Sequence, residues 1–279
     1  MSEPDRDAAG GADAVARERL DAARERLRAT GGVLVAFSGG LDSGFLCAVA
    51  REVLGDRAIA YTAVSASHPA WDLAAARKTA ADLGIRHVTR ETHEIEDPRY
   101  AANPKDRCYF CKSEVFGTAW DVARELGLDA VADGTTADDL SDWRPGRTAA
   151  AEKAILSPLA DAGLTKAQVR ALARDVYGLS FWDRPASPCL ASRFPYGTII
   201  DAARLKQVES VEAALRSAGC VEFRARYHGD LVRIEVRPED LPRLAAGADR
   251  AAIVAAARAA GFKYVTVDLE PFASGRLNG

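Results

Sequence analysis

The sequence predicts an α/β fold: a Rossmann-like parallel sheet followed by a second, smaller α+β domain. Three observations lead there. Strands alternate with helices over about 100 residues beginning at Val33, the mark of βαβ units and a parallel sheet. The strand Val33–Phe37 is wholly apolar and runs straight into a glycine loop backed by an apolar helix. The pattern then changes after a Pro-, Ser- and Trp-bearing connector at Leu179–Gly197.

In chain order, Met1 to Asp13 is Gly, Ala and Asp without a period, and is expected to be a frayed leader. Ala14–Arg28 has a helical pattern, with Val15, Leu20 and Leu27 along one side. After Val33–Phe37 come a helix over Ser43–Leu54, a strand at Ala58–Val64 and a helix over Trp71–Leu83 that Gly84 ends. Arg86–Thr89 reads as a strand, Pro98–Arg107 as a loop, Lys112–Leu126 as a helix and Ala130–Ala132 as a buried strand. Leu164–Tyr177 is a helix with Thr165 as its N-cap. Beyond the connector, a helix at Asp201–Ser217, strands at Val221–Tyr227 and Leu231–Val236 around a His-Gly-Asp turn, a helix at Ala248–Ala260 and a strand at Tyr264–Val267 make the α+β unit. The expected organisation is a leader and helix over 1–28, a nucleotide domain over 29–195 and a substrate domain over 196–279.

Composition sets outer limits. The 279 residues are 48% apolar and 28% charged, ordinary for a globular chain with a real core. Lys and Arg number 37 against 40 acids, and the net charge of −3 argues against nucleic acid or an anionic membrane as partner. No apolar run is long enough to span a bilayer and no signal sequence opens the chain. Five cysteines without such a signal do not read as a disulfide scaffold, so the expected compartment is the reducing cytoplasm.

The loop Ser38-Gly-Gly-Leu-Asp-Ser43 carries the clearest chemistry. Gly39 and Gly40 let the backbone approach an anion while amides at the helix start point at it. Ser38 and Ser43 add hydroxyl donors, Asp42 is placed to assist Mg²⁺ or orient a donor, and Leu41 belongs to the same expected pyrophosphate-binding set. No Lys follows, so this is not a Walker A loop. A Gly-Gly turn with ordinary caps is the bland alternative; the whole hexamer between strand and helix favours phosphate. Gly134 and Thr135 follow the strand at Ala130–Ala132 and so belong to the carboxyl edge of the sheet, where open α/β folds bind ligands. Asp138, Asp139 and Asp142 crowd the same edge as candidates for Mg²⁺, against the alternative of a solvated acidic loop.

SGGLDS resembles the SGGxDS signature of the PP-loop ATP pyrophosphatases, which implies cleavage of ATP to AMP and pyrophosphate. Three further stretches are Arg107-Cys-Tyr-Phe-Cys-Lys112, Asp133-Gly-Thr-Thr-Ala-Asp-Asp139 with Asp142 and Arg144–Arg147, and Trp182–Gly197 with its PCLASRFPYG core. With them the chain resembles, from Val33 to Val267, the LarE family of ATP-dependent sulfur transferases. Thr136 departs from the Asn of the family's DGTN segment, which touches on a nucleotide contact. The resemblance implies ATP and Mg²⁺ as cofactors and conversion of the carboxylates of pyridinium-3,5-biscarboxylic acid mononucleotide into thiocarboxylates, a step toward a nickel-pincer cofactor. It further implies a homo-oligomer and allows a downstream nickel-insertion protein as partner.

Cys108 and Cys111 form a CxxC, which alone suits half a zinc site, a redox pair or two packed thiols. The four histidines (His68, His87, His93, His228) lack zinc spacing, and Cys189 follows Pro188 far along the chain. In the LarE-like family, one type sacrifices the sulfur of the cysteine matching Cys189, and another holds a 4Fe-4S cluster with an open iron on cysteines matching all three. Having all three, this chain resembles the cluster type, with sacrifice of Cys189 as the alternative. Cys47 and Cys220 read as packed thiols.

In the second domain, strand alternation puts Arg224 and Arg226 on one face, suited to a phosphate monoester or to plain solvent exposure. The resemblance favours the phosphate, with Arg193 and Glu212 as weaker candidates. Trp143, Trp182 and Tyr196 are candidates for stacking on a pyridinium ring or simple anchors. Rival functions are a tRNA thiolase, disfavoured by charge, an amidating ligase of the NAD or GMP synthetase type, which leaves three cysteines unused, and a non-catalytic nucleotide-binding module.

Overall fold

The computed structural model describes residues 6–140, 145–185 and 187–273. The chain divides into two units, one made of residues up to Ser65 with Ala70–His93 and Cys108–Ser187, the other of Ala66–Pro69, Glu94–Arg107 and everything from Pro188 onward. In order, the elements begin with α1 (Arg6–Arg28), β1 (Val33–Ala36), α2 (Leu41–Leu54), β2 (Ala58–Val64), α3 (Ala70–Asp82), β3 (Arg86–Glu91) and the single turn α4 (Pro98–Ala101). Next come α5 (Arg107–Glu125), β4 (Val131–Asp133), α6 (Pro145–Glu152), α7 (Pro158–Asp161) and α8 (Lys166–Asp175). The chain finishes with α9 (Ala202–Ser217), β5 (Phe223–His228), β6 (Leu231–Val236), α10 (Leu241–Ala246), α11 (Ala248–Ala259) and β7 (Tyr264–Val267).

The first unit is built on a fully parallel sheet in the order β3-β2-β1-β4. Because successive side chains point to opposite faces, β1 and β2 feed two cores. Val33, Val35, Ala58 and Ala60 join α1, α2 and α8 on one face. Leu34, Ile59, Tyr61 and Val131 join α5 and α6 on the other. This is the expected α/β architecture, and a small second sheet of order β5-β6-β7 accompanies it, antiparallel at β5-β6 and parallel at β6-β7. A register of His228 against Leu231 leaves a two-residue turn in which Gly229 takes φ +65°.

Local sequence explains several boundaries. Thr165 caps α8 in a reciprocal capping box with Gln168, and the Asp201 carboxylate accepts from the Arg204 amide to open α9. Other expectations are corrected. The stripe of α1 that packs is Ala16, Leu20, Ala23 and Leu27, at helical spacing, while Val15 stays exposed. The helix also begins at Arg6 rather than Ala14. The segment from Pro98 is not all loop: Asp97 caps the turn α4 by accepting from the Arg99 amide. Most consequentially, α5 starts at Arg107 rather than Lys112, so Cys108 and Cys111 lie within its first turns instead of before them. The short helices α6, α7 and α10 were not legible in the sequence, being too brief to show a period.

Candidate active site

The glycine loop closes between β1 and α2 as the sequence predicts. Gly39 sits at φ +81°, a left-handed conformation that glycine adopts without strain, and a Cβ there would meet Ala76 of α3 at 3.2 Å. Ser38 and Ser43 face one another, their hydroxyls 3.2 Å apart, and the Gly40 amide donates to Ser38 Oγ at 3.4 Å. Gly40 is the N-cap of α2 and supplies no side-chain cap, so the helix start offers its amides to a ligand. Behind the loop, Thr62 Oγ1 donates to the Phe37 carbonyl at 2.6 Å and lies 2.9 Å from His87 Nε2. Burial and the charge of Arg77 hold the half-buried His87 below its ordinary pKa.

Gly134 approaches this loop closely. A Cβ on it would lie 2.6 Å from the Ser43 amide nitrogen and 2.7 Å from its Cα, so the position excludes any side chain. Thr135 is fixed by Asp133, which accepts from its hydroxyl at 2.8 Å and its amide at 3.1 Å. Thr136 is fully buried and donates to Asp139, whose carboxylate also pairs with Lys166 at 2.9 Å. Asp138 is exposed and accepts from the Lys166 amide at 2.6 Å, opening α8. Asp142 and Trp143 lie outside the described residues.

Two arginines outside the expected set of site residues stand out. Arg184 donates to the carbonyl of Gly39 and to Thr79, and its guanidinium lies over Phe181, whose ring fills the space beside Gly44. Burial draws its pKa down. The signal for it is indirect: a phosphate loop without its own Lys invites a cation from elsewhere in the chain. Arg107, the first residue of α5, is 6% exposed and donates to Asn103 Oδ1 at 2.8 Å with Tyr196 stacked 4.9 Å away. Asn103 itself is fully buried at φ +55°, and its amide donates to the Pro195 carbonyl at 2.8 Å.

All five cysteines lie outside any disulfide. Cys108 is exposed and Cys111 half-buried, three residues apart and so on one side of α5. Both belong to the first unit, and the half-buried Cys189 belongs to the second. Among the described residues no group of three or more His, Cys, Asp or Glu stands ready to hold a metal ion. The pair on α5 presents two soft sulfur donors within one helical turn, and Cys189 in the second unit is half-buried. Cys47 is buried behind the loop and Cys220 beside Arg243, and burial pushes both thiols up.

In the second unit the arginines divide sharply. Arg193, 2% exposed, forms a bidentate pair with the fully buried Glu212 at 2.8 and 2.7 Å. Its remaining Nη1 donates to the carbonyls of Pro188 at 2.6 Å and Cys189 at 3.1 Å, so it holds the cysteine's backbone. Arg226, 5% exposed, pairs with the fully buried Glu235 at 2.8 Å and donates to the Ser192 carbonyl. Arg224 makes no ion pair among the described residues. It stacks on Phe272 at 4.8 Å, and burial with the neighbouring charge of Arg193 pushes its pKa down to about 10. A guanidinium crowded by other cations and lacking a carboxylate suits an oxyanion from outside. Tyr196 stacks on Arg107, while Trp182 lies 5.3 Å from Arg174.

Comparison with known proteins fits this geometry. The asparagine synthase family matches residues 15–175, more than half of the chain. An uncharacterized protein of a Synechocystis species is 44% identical over 245 residues, spanning 88% of this chain and 91% of its own. The pyridinium-3,5-bisthiocarboxylic acid mononucleotide synthase of Lactiplantibacillus plantarum is 36% identical over 247 residues, 88% of each chain. An uncharacterized protein of Methanocaldococcus jannaschii is 28% identical over 242 residues, 87% of this chain and 91% of its own. No helix among the described residues is long and apolar enough to cross a membrane. With its PP-loop, its parallel sheet and this identity along most of its length, the chain belongs to the LarE family of ATP-dependent sulfur transferases, within the larger group of ATP-using PP-loop enzymes.

Proposed function

We propose that the enzyme adenylates the carboxylates of pyridinium-3,5-biscarboxylic acid mononucleotide and replaces each adenylate with sulfur. The observation that carries this reading is the coexistence of a pyrophosphate-type loop with three thiols, Cys108, Cys111 and Cys189, outside any disulfide. A carboxylate oxygen attacks the α-phosphorus of ATP, and the bond from that phosphorus to the bridging oxygen breaks. The amides of Ser38–Ser43 and the hydroxyls of Ser38 and Ser43 receive the departing pyrophosphate. Gly134 and Thr135 hold the loop's far side. Asp138, exposed in the segment after β4, would offer Mg²⁺ a hard oxygen donor. A sulfur nucleophile then adds to the acyl carbon and AMP leaves with the carbon–oxygen bond's electron pair.

Cys108, Cys111 and Cys189 would hold a 4Fe-4S cluster, which when bound supplies sulfur from its open iron. Arg224, supported by the arginines fixed beside it, binds the substrate's phosphate. Arg226 and Arg193 act there through position: their carboxylate partners hold them as fixed charges near Arg224. The same reading makes the part over 29–195 the ATP pyrophosphatase domain and 196–279 the substrate domain. It describes a cytoplasmic homo-oligomer that passes its product to a nickel-insertion protein.

The test is anaerobic turnover with ATP and the pyridinium mononucleotide, followed by mass spectrometry of product and protein together with iron and sulfide analysis. A thiocarboxylate product with iron and sulfide retained supports the reading. An iron-free protein that loses the mass of hydrogen sulfide at Cys189 moves the sulfur source to that side chain. No pyrophosphate release with this substrate sinks the adenylation itself.

A further inference from the structure

Among the described residues three arginines are more than nine-tenths buried, all in the second unit: Arg107, Arg193 and Arg226, at 6%, 2% and 5% exposure. Burying a cation away from water is strongly unfavourable unless an anion meets it. Arg193 has Glu212 and Arg226 has Glu235, each carboxylate fully buried. Arg107 has no carboxylate among the described residues. Its protein partners are the neutral Asn103 oxygen at 2.8 Å and the face of Tyr196. Its Nε is buried without a hydrogen bond among the described residues. Arg226 also leaves its Nε unpaired, but its charge is answered by Glu235. Arg107 is thus the one buried guanidinium of the three that lacks its counter-charge.

Its surroundings keep it in place. Asn103, buried in a left-handed conformation, donates to Pro195 and receives the Gly197 amide at its carbonyl, while its side-chain oxygen holds Arg107. Tyr196 between those two anchors covers the guanidinium. Asparagine is among the few residues besides glycine that adopt this left-handed conformation readily, and these hydrogen bonds hold it there. In the chain, Arg107 directly precedes Cys108.

We infer that Arg107 is a carboxylate-binding residue: it takes the carboxylate of the pyridinium ring that is not being activated, supplying the counter-charge that Arg107 lacks among the described residues. This rests on the function proposed above, because it needs a substrate with two ring carboxylates. Arg224 has a different task, the substrate's phosphate, and the two are separable by ligand chemistry. Guanidinium and carboxylate meet through two parallel hydrogen bonds, a geometry that selects a flat anion over a neutral carboxamide.

The experiment is titration calorimetry, without ATP, of pyridinium mononucleotides carrying two ring carboxylates or only one, against the parent enzyme and Arg107→Met. The parent is expected to prefer the dicarboxylate by about tenfold or more, the worth of a hydrogen bond to a charged group. In Arg107→Met that preference disappears, while affinity for the monocarboxylate stays within twofold of the parent's. Arg107→Gln, which can still donate to Asn103, is expected to behave the same way and carries the test if the methionine variant does not fold. A preference kept in the variant overturns the assignment while leaving the proposed function intact. An equal fall for both ligands also overturns it, because Arg107 would then serve a group common to both, such as the phosphate. Binding of neither ligand by the parent overturns the functional reading and this assignment with it.

Discussion

The two units prepare for anions by opposite means. The first uses almost no net charge: glycines, serine hydroxyls and the amides at the start of α2 surround the loop, and Arg184 reaches only its outer carbonyl. The second buries guanidinium groups outright and fixes two of them with carboxylates that solvent does not reach. The difference matches the chemistry proposed for each. A leaving pyrophosphate must be held tightly enough to depart and loosely enough to be released, which suits many small dipoles. A substrate phosphate that takes no part in the reaction suits fixed point charges. The lesson is that a buried arginine is not by itself a ligand site; its partner decides.

Breaking a pair in the second unit is expected to have the largest effect. Arg193→Met leaves Glu212 buried without its cation, a loss of about 3–5 kcal/mol that urea denaturation reads directly. The double variant Arg193→Met with Glu212→Leu is expected to recover most of it, since both charges go together. A single variant as stable as the parent would show that Glu212 is not held in the way described.

Next comes the neutral unit. Gly134→Ala forces a methyl group into the Ser43 backbone, and overpacking of about 3 kcal/mol corresponds to about a hundredfold loss of pyrophosphate release. Here the melting temperature should fall less than in Arg193→Met, because the clash lies at the loop rather than in a core. Arg224→Ala is expected to weaken the mononucleotide about tenfold with ATP affinity unchanged, measured by calorimetry with each ligand in turn. If both affinities fall together, the contrast between the units fails. Arg184→Gln should raise the KM for ATP by about fivefold, the worth of one hydrogen bond, with mononucleotide binding untouched.

The smallest effect concerns pH. His87 has its folded pKa held below the unfolded value, so the unfolded chain binds the extra proton first. Stability is therefore full above the unfolded pKa of 6.5 and declines as pH falls from there through the folded value. His87→Gln, which can keep a bond to Thr62, should flatten part of that slope between pH 7 and 5 in thermal melts. An unchanged slope would mean that the half-buried ring is protonated as easily as in water.

Much of the molecule was legible in the sequence because its signals are local. The apolar run Val33–Ala36, the glycine pair at 39–40, the Thr165 cap and the turn at Gly229 each act through neighbours a few residues away, and each folds as read. Gly134 was assigned to the sheet edge from chain order alone, and it lies against Ser43. Where helices were short, as in α6 and α7, no period had room to appear. The start of α5 has no local signal for a related reason: Phe116, Ala119, Val122 and Ala123 anchor the helix from its later turns, and this packing carries the helix back through the CxxC to Arg107.

The chain by itself determined the phosphate loop, the order of strands and helices and the inventory of reactive groups, since these depend on residue type and spacing. Only the tertiary structure decided which arginines have partners. Arg193 finds Glu212 nineteen residues on, Arg226 finds Glu235 on the neighbouring strand, and Arg107 finds Asn103 and Tyr196 but no acid among the described residues. Charge compensation is a property of three-dimensional neighbours in a low-dielectric interior, and no spacing rule along the chain reports it.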